Sequence, residues 1–256
     1  MRVSKYSASG NDFVIFMSFV SKDRSLLARQ ICDRFNGIGA DGMIVILPSE
    51  MGDFKWEFYN SDGSLANMCG NGSRAAFMFA YENDLIQKSG SFLSKAGLIG
   101  GKIYEISKNK GVIEVELTKP KNLSKSFIEN GLKWHFYDTG VPHLVSFVSD
   151  IVSEFDINLA KSMRQKYNAN VNFASIKDNK IFVRTFERGV EGETMACGTG
   201  MAAVFYAGFC EKMINDCIDI IPKSGEILNF SLKDERINFK GEVLHTFDAN
   251  FLTKDF

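Results

Sequence analysis

Two cysteines in this 256-residue chain stand in the same local frame. Cys69-Gly-Asn-Gly-Ser-Arg-Ala-Ala-Phe77 aligns without a gap on Cys197-Gly-Thr-Gly-Met-Ala-Ala-Val-Phe205. The offset is 128 residues, half the chain, and five of the nine paired positions are identical: Cys, Gly, Gly, Ala and Phe. Each cysteine precedes an apolar stretch, Arg74–Tyr81 or Met201–Met213, that reads as a buried helix. The first turn of a helix has N–H groups without internal partners and carries the positive end of the macrodipole. With glycine allowing close approach, a carboxylate or phosphate is the expected guest there. A cysteine in that field is expected to lean toward thiolate. Two such thiols around one anion-bearing ligand would suit removal of a proton from one face of a carbon and its return on the other.

The repeated frame sets Cys69 and Cys197 apart from Cys32, Cys210 and Cys217, whose apolar surroundings suit small buried hydrophobes. Gly198-Thr-Gly200-Met-Ala-Ala203 also resembles a dinucleotide fingerprint, but that motif needs a hydrophobic strand directly before its first glycine. Here Gly192–Cys197 and Leu65–Cys69 read as loops, so the dinucleotide reading is set aside. Dithiol oxidoreductases usually keep both thiols in one short motif, which leaves oxidation as a side property at most. With three histidines and no Cys-x-x-C or His-x-x-x-His, no metal site is expected.

The elements that must position these residues are mainly strands. Met43–Leu47, Lys55–Tyr59, Val112–Leu117, Ile181–Phe186, Ile227–Leu232 and Gly241–Phe247 show the period-2 or β-branched pattern of antiparallel strand. Ser21 is the expected cap of a helix through Phe35, and Leu159–Tyr167 reads as another. Gly100-Gly101 and Lys108–Gly111 are expected to be hairpin turns. In each half a strand ending at Phe58 or Phe186 leads through a polar loop to the cysteine and its helix, so the chain reads as a duplication. The halves are expected at 1–117, carrying Cys69, and 118–246, carrying Cys197. Lys119–Asn122 is the expected crossover, and 247–256 can return to the first half.

Composition excludes several classes. The chain is 45% hydrophobic and 24% charged, with a formal net charge of −1 and no basic block, so no nucleic-acid or membrane partner is indicated. No apolar run approaches the roughly 20 residues of a membrane span. The start is broken by Gly10-Asn11-Asp12, unlike a signal-peptide core, and five cysteines suit reduced thiols in the cytoplasm.

Further stretches then fall into a known pattern. These are Gly10-Asn-Asp-Phe13, Gly37-Ile-Gly-Ala-Asp-Gly42, Phe58-Tyr-Asn-Ser-Asp-Gly63, Met68-Cys-Gly-Asn-Gly72, Pro142-His143, Asn170-Val-Asn-Phe173 and Glu187-Arg-Gly189, leading to Gly192-Glu-Thr-Met-Ala-Cys-Gly-Thr-Gly200. In this order the chain resembles the diaminopimelate epimerase family over essentially its whole length. The resemblance implies an α/β (α+β) fold of two pseudo-symmetric domains, each a curled, mostly antiparallel sheet around a central helix, with the site in the cleft. It implies cofactor-independent interconversion of LL- and meso-diaminopimelate, in lysine and peptidoglycan precursor synthesis, by a cytoplasmic enzyme that can be a homodimer.

The resemblance also assigns residues. Cys69 and Cys197 are the thiol and thiolate, the first the donor and the second the acceptor in the LL to meso direction. Gly70, Asn71, Gly198 and Thr199 offer N–H groups to the α-carboxylate. Glu187 contacts the reacting ammonium and supports catalysis, a role shared by His143. Arg188 takes the distal carboxylate, a task suited to a guanidinium fork. Asn11, Asn60 and Asn170 are substrate hydrogen bonders. The chain departs from commoner family patterns at Val141, where asparagine is frequent, at Gly42, where some members carry glutamine, and at Val190-Glu191, which lengthens a loop by one residue. Three other readings stand beside this one: a proline-racemase-like enzyme, a thiol-free isomerase of the phenazine-biosynthesis type, and an amino-acid-binding protein without turnover. Both cysteines argue against the second, and a need for two thiols against the third.

Overall fold

Runs such as Gly42–Leu47, buried at every position, can only be strands covered on both faces, and they set the architecture. The computed structural model describes residues 1–252 as a mixed α/β protein made mostly of sheet. The chain divides into two compact units. The first comprises Met1–Val115 and the stretch from Gly241 onward, the second Glu116–Lys240. These divisions fall a few residues before the limits expected from the sequence. Residues 253–256, part of the expected returning segment, lie outside the described residues.

The first unit holds β1 (Arg2–Ala8), β2 (Asn11–Met17), α1 (Ser25–Cys32), β3 (Gly42–Leu47), β4 (Phe54–Asn60), α2 (Gly70–Glu82), β5 (Ser89–Ser94), β6 (Gly97–Ser107) and β7 (Lys110–Glu116). The second holds β8 (Lys121–Glu129), β9 (Leu132–Asp138), β10 (Pro142–Phe147), α3 (Ile151–Glu154), α4 (Ile157–Tyr167), β11 (Asn170–Lys177), β12 (Lys180–Glu187), β13 (Gly192–Thr194), α5 (Gly198–Cys210), β14 (Cys217–Pro222) and β15 (Leu228–Lys233). The last strand, β16 (Arg236–Asn250), begins beside β15 and ends beside β1, where Arg2 faces Asn250.

Both units repeat one order of elements. An antiparallel pair, β1–β2 or β9–β10, is followed by a helical crossover to a parallel neighbour, β3 or β11. That strand pairs antiparallel with β4 or β12, and a second helical crossover leads to parallel β5 or β14. Parallel neighbours need such crossovers, so α1, α2, α4 and α5 follow from the topology. Antiparallel β6–β7 and β15–β16 complete the two sets.

The crossover α2 is buried from Gly70 to Ala80 and packs on β1, β2, β3 and β6. Its counterpart α5 buries Gly200–Phe205, Ala207 and Gly208 against β9, β10, β11, β12 and β14. A helix apolar all round is stable only when enclosed in this way.

Several local expectations are corrected. Ser21 does not cap α1; its hydroxyl bonds Glu57, and Asp23 accepts the Ser25 N–H at 2.9 Å beside the helix start. The helix ends at Cys32, where Asp33 takes the N–H groups of Phe35 and Asn36 in a turn. Gly100 and Gly101 are not a turn but lie within β6, opposite Ser91 and Gly90. A Cβ on Gly101 would stand 2.5 Å from the ring of Phe77, so the glycine marks where α2 presses on the strand. Both buried helices begin directly after their cysteines, earlier than their apolar stretches suggest, and α5 ends at Cys210 because Lys212 turns left-handed. Cys32 is buried as expected, but Cys210 and Cys217 are exposed, at a helix end and a strand start.

Candidate functional site

In the first unit, Cys69 is the extended residue that caps α2. Its Sγ accepts the Gly72 N–H at 3.4 Å, while its carbonyl takes both the N–H and the hydroxyl of Ser73, each at 2.8 Å. The following N–H groups, those of Gly70 and Asn71, have no acceptor inside an α-helix. Cys69 is half-buried.

The first turn of α2 also organises the β1–β2 hairpin. Ser9 and Gly10, both at positive φ, make its two-residue turn. The fully buried Arg74 donates to Ser9 Oγ at 2.6 Å, to Asn71 Oδ1 at 2.8 Å and to the Glu242 carbonyl at 3.1 Å. Asn71 passes the polarity on, donating from Nδ2 to Asn11 Oδ1 at 2.8 Å, and Asn11 Nδ2 donates to Asp41 Oδ2 at 2.9 Å. Asp41 is in turn paired with Arg34 at 2.8 Å. Asn11 thus sits within one hydrogen-bond chain with Asn71. Asn60 lies apart from it: exposed at the end of β4 and opposite Gly42, it donates to Ser64 Oγ at 2.9 Å in a turn.

In the second unit, Cys197 is the extended residue before α5. Burial pushes its thiol pKa well above the ordinary value, the Glu187 carboxylate adds to this, and the Thr199 hydroxyl and Gly200 N–H pull the other way. The sulfur is 3.7 Å from Thr199 Oγ1. In this structure Cys197 is therefore a neutral thiol that can give a proton. A side chain at Gly200 is impossible without rearrangement, because a Cβ would stand 2.4 Å from Asn172 Oδ1.

Glu187 ends β12 and is held by three-residue β13, from which Thr194 donates to Glu187 Oε1 at 2.6 Å. Arg188 follows. Its N–H is taken by Asn170 Oδ1 at 2.8 Å, and its guanidinium donates to the Asn168 carbonyl at 2.9 Å. Among the described residues no carboxylate forms an ion pair with Arg188, which leaves the guanidinium suited to an anion from outside. The added loop residue Glu191 accepts the Gly189 N–H at 2.9 Å and pairs with Arg164 of α4 at 2.6 Å.

His143, the second residue of β10, is fully buried and in register with Asn170. Burial, helped by the charge of Arg188, pushes its pKa down to about 3, so the ring is neutral. Its Nε2 lies 2.9 Å from Thr199 Oγ1 and its Nδ1 3.1 Å from Asn172 Nδ2. Val141, two residues before it, is half-buried and offers its carbonyl to the Thr139 N–H at 3.3 Å.

Four further residues whose roles no sequence motif singles out, Arg74, Asp41, Asn172 and Thr194, hydrogen-bond the expected site residues. Asn172 was within reach, since strand alternation puts it on the same face as Asn170. Arg74, inside an apolar helix, had no such signal. Among the described residues no group of three or more His, Cys, Asp and Glu is placed to hold a metal ion, and no helix is long and apolar enough to cross a membrane.

The fold is shared with solved proteins of distant sequence. A PhzF-family phenazine biosynthesis protein from Bacillus anthracis superposes with a TM-score of 0.74 at 15% identity, covering 99% of each chain. A hydroxyproline epimerase from Agrobacterium vitis, solved with bound trans-4-hydroxy-L-proline, superposes with a TM-score of 0.73 at 12% identity, over 97% of this chain and 91% of that one.

Sequence narrows this class. The family model for diaminopimelate epimerase matches residues 3–123 and 135–245, and the chain belongs to that family. It is 53% identical over 250 residues to the diaminopimelate epimerase of a Nitratiruptor species, covering 97% of this chain and 98% of the relative. It is 52% identical over 252 residues to that of Campylobacter jejuni, covering 98% and 99%, and 45% identical over 251 residues to that of Helicobacter pylori, covering 93% and 92%.

Proposed function

We propose that this chain is an isomerase that interconverts LL- and meso-2,6-diaminopimelate, with one half supplying Cys69 and the other Cys197 to a shared substrate. Family membership over nearly the whole chain supports the activity. The observation that carries the mechanism is that both cysteines occupy the same position, immediately before a buried helix.

One thiolate takes the α-proton, breaking C–H and forming S–H, and the electron pair passes into the substrate's α-carboxylate. The other thiol then returns a proton to the opposite face. The two cysteines exchange protonation states in each turnover and roles when the direction reverses. N–H groups of Gly70, Asn71, Gly198 and Thr199 hold the carboxylate as its charge grows. Glu187 receives the α-ammonium. Burial is the main reason the Cys197 thiol stays protonated, and the cation offsets the carboxylate charge that adds to it, so substrate binding itself eases thiolate formation. Arg188 takes the distal carboxylate, with Asn11, Asn60 and Asn170 as hydrogen bonders and His143 in support. No cofactor enters this scheme. The same reading places two pseudo-symmetric domains around central helices, a cytoplasmic homodimer, and a role in lysine and peptidoglycan precursor supply.

The test is proton NMR of reduced protein with LL-diaminopimelate in D2O, beside Cys69→Ala and Cys197→Ala. Loss of the α-proton signal with appearance of the meso isomer, abolished in both variants and absent with proline, is expected. Retention of the α-proton by folded, reduced protein would overturn the proposal.

A further inference from the structure

We propose that Asn172 fixes the tautomer of His143 and thereby turns the Thr199 hydroxyl toward Cys197 as a hydrogen-bond donor to its thiolate. The inference rests on the reading of Cys197 as a reacting group, but its geometry stands independently.

Some groups around His143 have roles that cannot change. The Leu144 carbonyl can only accept, and Asn172 lies 2.8 Å from it, so the atom facing it is the amide nitrogen Nδ2. The opposite side of the amide agrees, since Thr185 Oγ1 donates to Asn172 Oδ1 at 2.9 Å. The second hydrogen of Nδ2 is then directed at His143 Nδ1, 3.1 Å away. A ring nitrogen facing an N–H presents its lone pair, so the proton of the neutral imidazole is on Nε2. That proton faces Thr199 Oγ1 at 2.9 Å. The competing neighbour of Nε2 cannot take it: Asn170 accepts the Arg188 N–H through Oδ1, which turns its own Nδ2, a donor, toward His143 at 3.4 Å.

Thr199 Oγ1 therefore accepts from the histidine, and its own hydrogen points elsewhere. The sulfur of Cys197 is 3.7 Å away, within reach of a hydrogen bond to sulfur. Asn172, His143, Thr199 and Cys197 form a chain in which every donor points toward the sulfur. In this chain Thr199 is a catalytic residue, because it touches the reacting atom, and Asn172 is a positioning residue that acts through His143. The Glu187 carboxylate faces the same sulfur with the opposite effect, favouring the thiol. The imidazole itself, held neutral by burial, neither gives up nor gains a proton in the cycle.

The first measurement is nitrogen NMR of protein labelled with 15N-histidine. Only three histidines are present, and His143→Gln identifies the resonances of His143. At neutral pH its Nε2 is expected to be the protonated nitrogen; a protonated Nδ1 overturns the proposal. The second measurement is alkylation of Cys197 by iodoacetamide at a fixed pH below its pKa, followed by peptide mass spectrometry, where the rate tracks the thiolate fraction. A hydrogen bond to a charged group contributes about 1.5–3 kcal/mol, so Thr199→Val is expected to slow alkylation about tenfold or more. Thr199→Ser is expected to restore it. An unchanged rate in Thr199→Val also overturns the proposal. Neither readout needs turnover, so loss of the epimerase reading and loss of this one are separable.

Discussion

Asn71 Nδ2 donates to Asn11 Oδ1 over 2.8 Å, tying the first turn of α2 to the strand that begins with Asn11. The bond has a direction because Arg74, which can only donate, occupies Asn71 Oδ1, and Asp41, which as a carboxylate only accepts, occupies Asn11 Nδ2. Two amides whose orientation is otherwise free are thereby each held in one pose. The helix that carries Cys69 and the hairpin that carries Asn11 are set by the same residues.

Asn71→Leu is expected to strand donors of the buried Arg74 and to release Asn11. Losing a partner for a buried polar group costs about 1–3 kcal/mol, which a urea unfolding midpoint would register. KM should rise as Asn11 loses its pose. A variant with wild-type stability and KM would show that the chain of bonds does not organise Asn11.

How far the sequence carried this picture depended on the kind of signal. The duplication was legible because Cys-Gly-x-Gly recurs half a chain apart, each time before an apolar stretch, and the strand that bears Asn170 and Asn172 because β alternation is local. Other features were fixed by tertiary contacts. Gly100-Gly101 resembles a turn, yet it is strand because the Phe77 ring needs the space a side chain would fill. Ser21 resembles a cap, yet Glu57 on β4 claims its hydroxyl. Arg74 breaks an apolar helix without any hint of the Ser9, Asn71 and Glu242 acceptors that await it. Likewise, Cys210 and Cys217 have apolar neighbours in sequence but solvent in space.

The loop residue Glu191 secures Arg188 indirectly, through the Gly189 N–H and the ion pair with Arg164. Glu191→Gln keeps the size and weakens both contacts. Its expected effect is a KM for diaminopimelate raised several-fold with kcat little altered, since the proton-transfer groups are untouched. A fall in kcat at constant KM would place Glu191 in the chemistry instead.

Glu187 acts on Cys197 in two opposed ways, and one substitution separates them. Its charge raises the thiol pKa, so Glu187→Gln should lower that pKa and make Cys197 alkylate faster at a given pH in the absence of substrate. If Glu187 receives the substrate ammonium as proposed, turnover should nevertheless fall, because that cation loses its counter-charge. Slower alkylation in this variant would mean that Glu187 favours the thiolate, against the electrostatic argument.

His143 makes acid stability a measure of its burial. Its pKa is pushed from an ordinary 6.5 down to about 3 in the folded protein, so the fold favours the neutral ring. The unfolded chain takes up a proton below pH 6.5 and the folded chain does not. The stabilisation is therefore complete above that value and is lost as pH falls from 6.5 toward 3, to the extent of a few kcal/mol at about 1.4 kcal/mol per unit. His143→Gln removes the titrating group, and carboxylates such as Asp12 and Glu193 titrate alike in both proteins and cancel in the comparison. Urea unfolding at a series of pH values should show a less stable variant at pH 7 whose stability declines more shallowly between about pH 6.5 and 4. Parallel declines would mean that the imidazole gains its proton in the folded state as readily as in the unfolded one, so that burial does not set its charge.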